Sequence, residues 1–87
     1  MTWRIELDED VRKTLKKLDQ PIARQILRKL REIEALDDPT TMGKPLLSNR
    51  KGFWAYRVGD YRVICDIQYG QLIVLVIELQ HRSEAYK

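Results

Sequence analysis

Two arginines, Arg57 and Arg62, flank Gly59-Asp60 in the run Trp54-Ala55-Tyr56-Arg57-Val58-Gly59-Asp60-Tyr61-Arg62-Val63-Ile64. Aromatic and β-branched residues alternating around a Gly-Asp pair predict two strands joined by a two-residue hairpin turn. Pairing Val58 with Tyr61 puts Arg57 directly opposite Arg62. Like charges so placed cost roughly 0.2–1 kcal/mol, and a sheet built for stability alone would carry a Glu or Thr at one site. Two guanidiniums on one face suit an anion instead, since each can grip a phosphate or carboxylate through two parallel N–H groups. A second set of chemically capable side chains closes the sequence: His81, Arg82 and Tyr86, within His81-Arg82-Ser83-Glu84-Ala85-Tyr86-Lys87. An imidazole suits proton transfer near neutrality, and a phenol ring offers a surface on which a base can stack.

The strand period of two fixes the faces of the hairpin. Trp54, Tyr56, Val58, Tyr61, Val63 and Cys65 share a core side, and Ala55, Arg57, Arg62 and Ile64 share the other. Upstream, Thr2 to Leu7 alternates as a half-buried strand, with Trp3, Ile5 and Leu7 on one side. Asp8-Glu9-Asp10 places acids where a helix begins, and Val11, Leu15 and Leu18 then recur at helical spacing. Asp19-Gln20-Pro21 ends that helix and opens a second, with Pro21 in the first turn, where a missing N–H is harmless. Ile22, Ile26, Leu27, Leu30 and Ile33 line its apolar face, while Arg24, Arg28, Arg31 and Glu32 form a solvated one.

The second helix is expected to end near Asp37-Asp38-Pro39, before a loop from Pro39 to Gly52 that carries Lys44, Arg50 and Lys51. Strands are expected over 53–58, 61–67 and 71–79, the last two joined by a Tyr69-Gly70 turn. Such a turn places Leu72, Val74 and Val76 on the core side. Ile73, Leu75, Ile77, Leu79 and His81 then fall on the arginine side, where the apolar ones need cover from a curved sheet or a partner. The order βααβββ predicts a small α+β domain: a helical hairpin packed on one face of a largely antiparallel four-stranded sheet.

Eighty-seven residues make a single domain, 1–87, that buries about 60–65% of its unfolded surface. No apolar run reaches the roughly 18 residues of a membrane span, and the opening Met1-Thr2-Trp3-Arg4 is no apolar leader, so a cytoplasmic protein is expected. The lone Cys65 cannot form an internal disulfide, and one His with one Cys does not make a zinc site; no metal and no cofactor are expected. Residues 1–43 hold nine basic and nine acidic side chains, whereas residues 44–87 hold seven basic and four acidic. The whole net charge of +3 therefore sits around the hairpin, a pointer to a polyanionic partner.

Lys44-Pro45-Leu46, Asn49, Gly52, the YRVGDYRVI hairpin and the HRSEAY tail together resemble the RelE/ParE superfamily of bacterial and archaeal toxins, in its RelE-like branch. The likeness runs over nearly the whole chain in length and element order. It implies the toxin of a type II toxin–antitoxin system, a small basic ribonuclease that enters the ribosomal A site and cuts messenger RNA. A cognate antitoxin would hold it inactive. By the same resemblance Arg57 lies near the attacking 2′-hydroxyl and Arg62 holds the scissile phosphate. His81 and Arg82 match the basic cluster where a general acid is expected, and Tyr86 matches a tyrosine that stacks on a nucleotide. Lys44, Arg50 and Lys51 are expected to contact RNA.

Cleavage by the RNA's own 2′-hydroxyl needs in-line positioning, proton transfer and cations for the developing charge, but no metal. Two departures from the family pattern imply a weaker catalyst: Ala55 stands where many relatives carry Arg or Lys, and the sequence stops one residue after Tyr86, without the C-terminal helix of some relatives. Two other functions fit the same fold: a ParE-like inhibitor of DNA gyrase without nuclease chemistry, and a degenerate member that only binds its antitoxin. In each case the antitoxin should offer an acidic amphipathic segment that buries Leu75 and Ile77 and neutralises Arg57 and Arg62.

Overall fold

The acidic run after the first strand does start a helix. The computed structural model describes residues 2–46 and 52–85, the last two by backbone only. Strand β1 (Arg4–Leu7) ends at Asp8, whose carboxylate accepts a hydrogen bond from the Asp10 N–H and caps α1 (Glu9–Lys17). Glu9 and Asp10 stand at the positive end of the helix dipole, Lys16 and Lys17 at the negative end. Helix α2 (Gln20–Glu34) carries Pro21 in its first turn and stops short of the expected Asp37. Asp38 instead caps a single 3-10 turn, Pro39–Met42, accepting from both the N–H and the hydroxyl of Thr40. Among the described residues no helix is long and apolar enough to cross a membrane.

The remaining elements are β2 (Lys44–Pro45), β3 (Phe53–Val58), β4 (Tyr61–Gln68), β5 (Ile73–His81) and the short α3 (Arg82–Ala85). Spatially the strands run β1-β5-β4-β3-β2, all neighbours antiparallel except β1 and β5. The expected four strands are therefore five: Lys44 and Pro45 pair with Ala55 and Trp54 at the sheet edge. A two-residue strand has no alternation from which a sequence pattern can be read. The hairpin register is the expected one, with Val58 opposite Tyr61 and Arg57 opposite Arg62. Gly59 takes φ +57° while Asp60 stays out of the left-handed region, the glycine-first pattern of a type II′ hairpin turn.

The turn from β4 to β5 is longer than predicted. Gln71 and Leu72 donate their N–H groups to the carbonyls of Gln68 and Tyr69, Leu72 adopts φ +55°, and pairing resumes at Gln68 with Ile73. Two extra residues preserve the parity of the strand, so Val74 and Val76 still face the helices and are fully buried. Further along, Cys65 pairs with Val76 but Ile64 pairs with Glu78, which leaves Ile77 as the extra residue of a β-bulge. A one-residue slip exchanges the two faces of everything beyond it. Leu79 and His81, expected on the arginine side, thus stand opposite Val63 and Tyr61 on the helix side, while Glu78 and Gln80 stand opposite Ile64 and Arg62.

The core lies between the sheet and the helical hairpin, where Val11, Ile26, Leu30 and Ile33 meet Trp3, Tyr56, Val58, Val63, Cys65, Ile67, Val74 and Val76. Leu79 packs against the same cluster, as its new parity requires. Burying side chains of this size stabilises the fold by about 1.5–3 kcal/mol each. Ile64 is also fully buried but belongs to the reverse face. Polar ties close the periphery: Trp3 Nε1 donates to the Asp37 carbonyl at 3.0 Å, and the Ile5 N–H, which points away from β5, donates to Glu34 Oε2 at 2.9 Å.

Candidate active site

Tyr56 connects the core to the site. Its ring is 1% exposed, and its hydroxyl donates to the Pro39 carbonyl at 2.8 Å, fixing the 3-10 turn against β3. The chain then passes so close to the ring that a Cβ on Gly43 would lie 2.9 Å from it, which only glycine tolerates. This close passage lays Lys44 beside Ala55 at the edge of the arginine face.

A cleft of about 340 Å³ opens there, lined by Lys44, Arg57, Arg62 and Arg82 together with Leu46, Ala55 and Asp60. Arg82 reaches it because its N–H donates to the Asp60 carbonyl at 2.6 Å, tying the start of α3 to the hairpin turn. Among the described residues none of the four cations forms an ion pair, although Asp60 lines the same cleft. Arg57, Arg82 and Lys44 are exposed, whereas Arg62 is half-buried. Arg62 Nε is shut off from solvent and has no hydrogen-bond partner among the described residues. A buried donor left so costs about 1–3 kcal/mol, and a charged one more. The concave wall concentrates the field of the unpaired charges, so the cleft attracts anions more strongly than the same charges would on a flat surface.

His81 does not share this wall. Its ring lies edge-on to Tyr61, with centroids 5.0 Å apart and an interplanar angle of 79°. Its Nδ1 accepts from the Ser83 N–H at 3.2 Å and lies 2.9 Å from Ser83 Oγ. Of the residues singled out from sequence, the structure therefore brings Arg57, Arg62, Arg82 and Lys44 together and sets His81 on the reverse side of the sheet. Tyr86, Arg50 and Lys51 lie outside the described residues. The residue that does share a face with Arg62 is Gln80, whose side-chain amide donates to the Glu78 carboxylate.

A signal for this exchange was present in β5. Val74 and Val76 occupy even positions on the core side, yet Leu79 is apolar at an odd position, between polar Glu78 and Gln80. The parity of the apolar set changes between Val76 and Leu79, which is where the bulge falls.

The titratable groups in the core are held neutral. Burial pushes the Cys65 thiol up to about 12 from 9.0, so it is protonated and inert at neutral pH. Burial likewise raises the Tyr56 phenol. At the surface, the Thr40 hydroxyl and then its N–H hold the Asp38 carboxyl below its ordinary value.

The family model described as the ParE toxin of the type II toxin–antitoxin system parDE matches residues 5–86. The chain belongs to the ParE toxin family. Its curated relative Toxin RelE of Mycobacterium tuberculosis is 38% identical over 52 residues, which are 60% of this chain and 54% of that protein. The match thus spans about half the relative's length. A chain of the archaeal RelE–RelB complex from Pyrococcus horikoshii shares the fold, with a TM-score of 0.74 at 23% identity over 94% of this chain and 97% of the other. A chain of the toxin–antitoxin complex RelBE2 from Mycobacterium tuberculosis aligns with a TM-score of 0.70 at 26% identity, over 95% and 94% of the two chains. This ParE-family toxin thus has the RelE fold, with Lys44, Arg57, Arg62 and Arg82 lining one cleft on the sheet face that the helical hairpin leaves open.

Proposed function

We propose that this toxin cleaves messenger RNA in the ribosomal A site by attack of the RNA's own 2′-hydroxyl. The observation that carries the reading is Arg62, opposite Arg57, with a buried Nε that lacks a partner among the described residues, in one cleft with Arg82 and Lys44. A phosphodiester supplies what this group lacks: planar acceptor oxygens and a negative charge that grows in the transition state. Arg62 grips the non-bridging oxygens of the scissile phosphate. Arg57 stabilises the attacking oxygen, and it does so as a cation, since a guanidinium does not give up its proton. The attack forms the P–O2′ bond and breaks the P–O5′ bond. Solvent water takes the 2′-hydroxyl proton and returns one to the leaving 5′-oxygen, whose developing charge Arg82 offsets. Lys44, with Arg50 and Lys51, holds flanking phosphates, and Tyr86 stacks on a base for about 1–3 kcal/mol. The reaction draws on guanidinium charge in place of a metal. His81, on the reverse face, does not meet the phosphate in this arrangement.

The expected partners are the ribosome with its message and a cognate antitoxin, as in the complexes whose toxins share this fold. The antitoxin offers an acidic amphipathic segment to the cation face, and both partners place the protein in the cytoplasm. Primer extension on messages from cells expressing the wild type or Arg62→Ala tests the nuclease. Cleavages in step with the reading frame, dependent on translating ribosomes and absent from a folded Arg62→Ala protein, are the expected result; full cleavage by the variant sinks the assignment.

A second reading has its own support, since the matching family model is described by the parDE system. A ParE-like protein that binds DNA gyrase would leave messages intact and produce gyrase-dependent DNA breaks in the same cells. Absence of any growth arrest would instead identify a member that only binds its antitoxin.

A further inference from the structure

Helix α3 has only four residues, Arg82–Ala85, far too few to sustain itself by its own hydrogen bonds. What holds its first turn is visible at two backbone donors. The Arg82 N–H is taken by the Asp60 carbonyl at 2.6 Å, and the Ser83 N–H by His81 Nδ1 at 3.2 Å. His81 is the residue just before the helix, and a side chain there that accepts from the second helical N–H is doing what an N-cap does. A backbone N–H can only donate, so Nδ1 must present its lone pair, and the ring proton of the neutral imidazole is on Nε2. The ring is kept in that orientation by the edge-on contact with Tyr61, at 5.0 Å between centroids, and by the bulge that puts position 81 on the helix side.

We propose that His81 is a positioning residue: as the cap of α3 it fixes the backbone from which Arg82 reaches the cleft. This rests on the reading of the cleft as a phosphate site, but its physical core, the cap, does not. A protonated Nδ1 would set one N–H against another and break the cap, so the lone pair that positions Arg82 cannot also carry a proton for the substrate. The role acts through Arg82, and two consequences separate it from proton donation. An asparagine at this position keeps an acceptor for the Ser83 N–H while removing any titratable group. The cost of losing the cap must also vanish once Arg82 itself is absent.

The experiment uses the full chain as wild type, His81→Asn, His81→Ala, Arg82→Ala and the double variant His81→Ala/Arg82→Ala. Amide exchange at Ser83 and the ring-nitrogen shifts of His81 are read by NMR, and ribosome-dependent cleavage is read on the same samples. Expected are a slowly exchanging Ser83 amide and an unprotonated Nδ1 in the wild type, with protection kept in His81→Asn and lost in His81→Ala. Cleavage should stay within about threefold of wild type for His81→Asn and fall about five- to tenfold for His81→Ala. The double variant should be no worse than Arg82→Ala alone. His81→Asn as impaired as His81→Ala despite a protected Ser83 amide would overturn the proposal, as would a Ser83 amide indifferent to both substitutions. Additive losses in the double variant would overturn it too. A wild type that cleaves nothing, yet shows the cap and loses it in His81→Ala, would refute the nuclease reading and leave the capping role standing.

Discussion

Along β4, neighbouring residues live under opposite conditions. Val63 and Cys65 point to the helices and are fully buried among apolar side chains, with the thiol held neutral up to about 12. Arg62 points the other way, faces a like charge at Arg57, and keeps a buried Nε without a partner among the described residues. The helix side is satisfied within the chain. The arginine side leaves Arg62 Nε unsatisfied among the described residues. That contrast shows how so small a domain carries an electrostatically unfavourable cleft: roughly 0.2–1 kcal/mol for the like-charge pair and roughly 1–3 kcal/mol for the unmet donor are offset by a core of many side chains that each contribute about 1.5–3 kcal/mol.

Substitutions on the two faces should therefore fail in different ways. The largest effect is expected from Ile26→Ala, which empties a fully buried position and should lower stability in urea by about 2–5 kcal/mol. Cleavage by the fraction still folded should be unchanged, and a folded but inactive protein would blur the division of the faces. Arg62→Thr should invert that pattern. Cleavage is expected to fall about 10²–10³-fold, while the urea midpoint rises as about 0.2–1 kcal/mol of like-charge repulsion is removed. A loss of stability instead would mean that the arginine pair is structural. Gly43→Ala tests the link between the faces, because its Cβ would press on the Tyr56 ring at 2.9 Å. It should cost about 1–3 kcal/mol and weaken RNA binding through the displaced Lys44, readable in one titration and one melt.

The effect that leaves neutral pH untouched should be alkaline. A thiol whose folded pKa is raised from 9.0 to about 12 contributes stability that is complete below pH 9 and lost as pH rises toward 12. The raised Tyr56 phenol acts with the same sign from pH 10.0 upward. Stability should therefore decline above pH 9, more gently in Cys65→Ala, and an unchanged decline in that variant would reassign it to Tyr56.

The sequence was most readable where alternation is strict. The Phe53–Val58 strand, the Gly59-Asp60 turn, the Arg57–Arg62 pairing and the core side of the hairpin follow from a period of two and one turn rule. Helix starts at Asp8 and Pro21 were legible because capping and proline chemistry are local. Of the features that escaped, two bear on the site. The edge strand Lys44–Pro45 is held by Tyr56 and the glycine before it, contacts made across the fold that leave no periodic trace. The side of the sheet that His81 occupies depends on one unopposed residue, Ile77, in a strand apolar on both sides. There, hydrophobicity does not say which face is which, and the signal lay in a change of parity rather than in any residue's type.

The Glu34 carboxylate bound to the Ile5 N–H has a consequence for how this molecule meets others of its kind. A sheet's outermost strand is a row of unclaimed donors and acceptors on which a neighbouring chain can template itself, and β1 is such a strand. By occupying the donor of Ile5, the last residue of α2 removes one rung from that ladder without a proline or a kink. A second copy trying to zip onto β1 must first evict a charged group from its hydrogen bond. Solubility at that border is thus guarded from the helix, by a single side chain that the strand's own sequence does not contain.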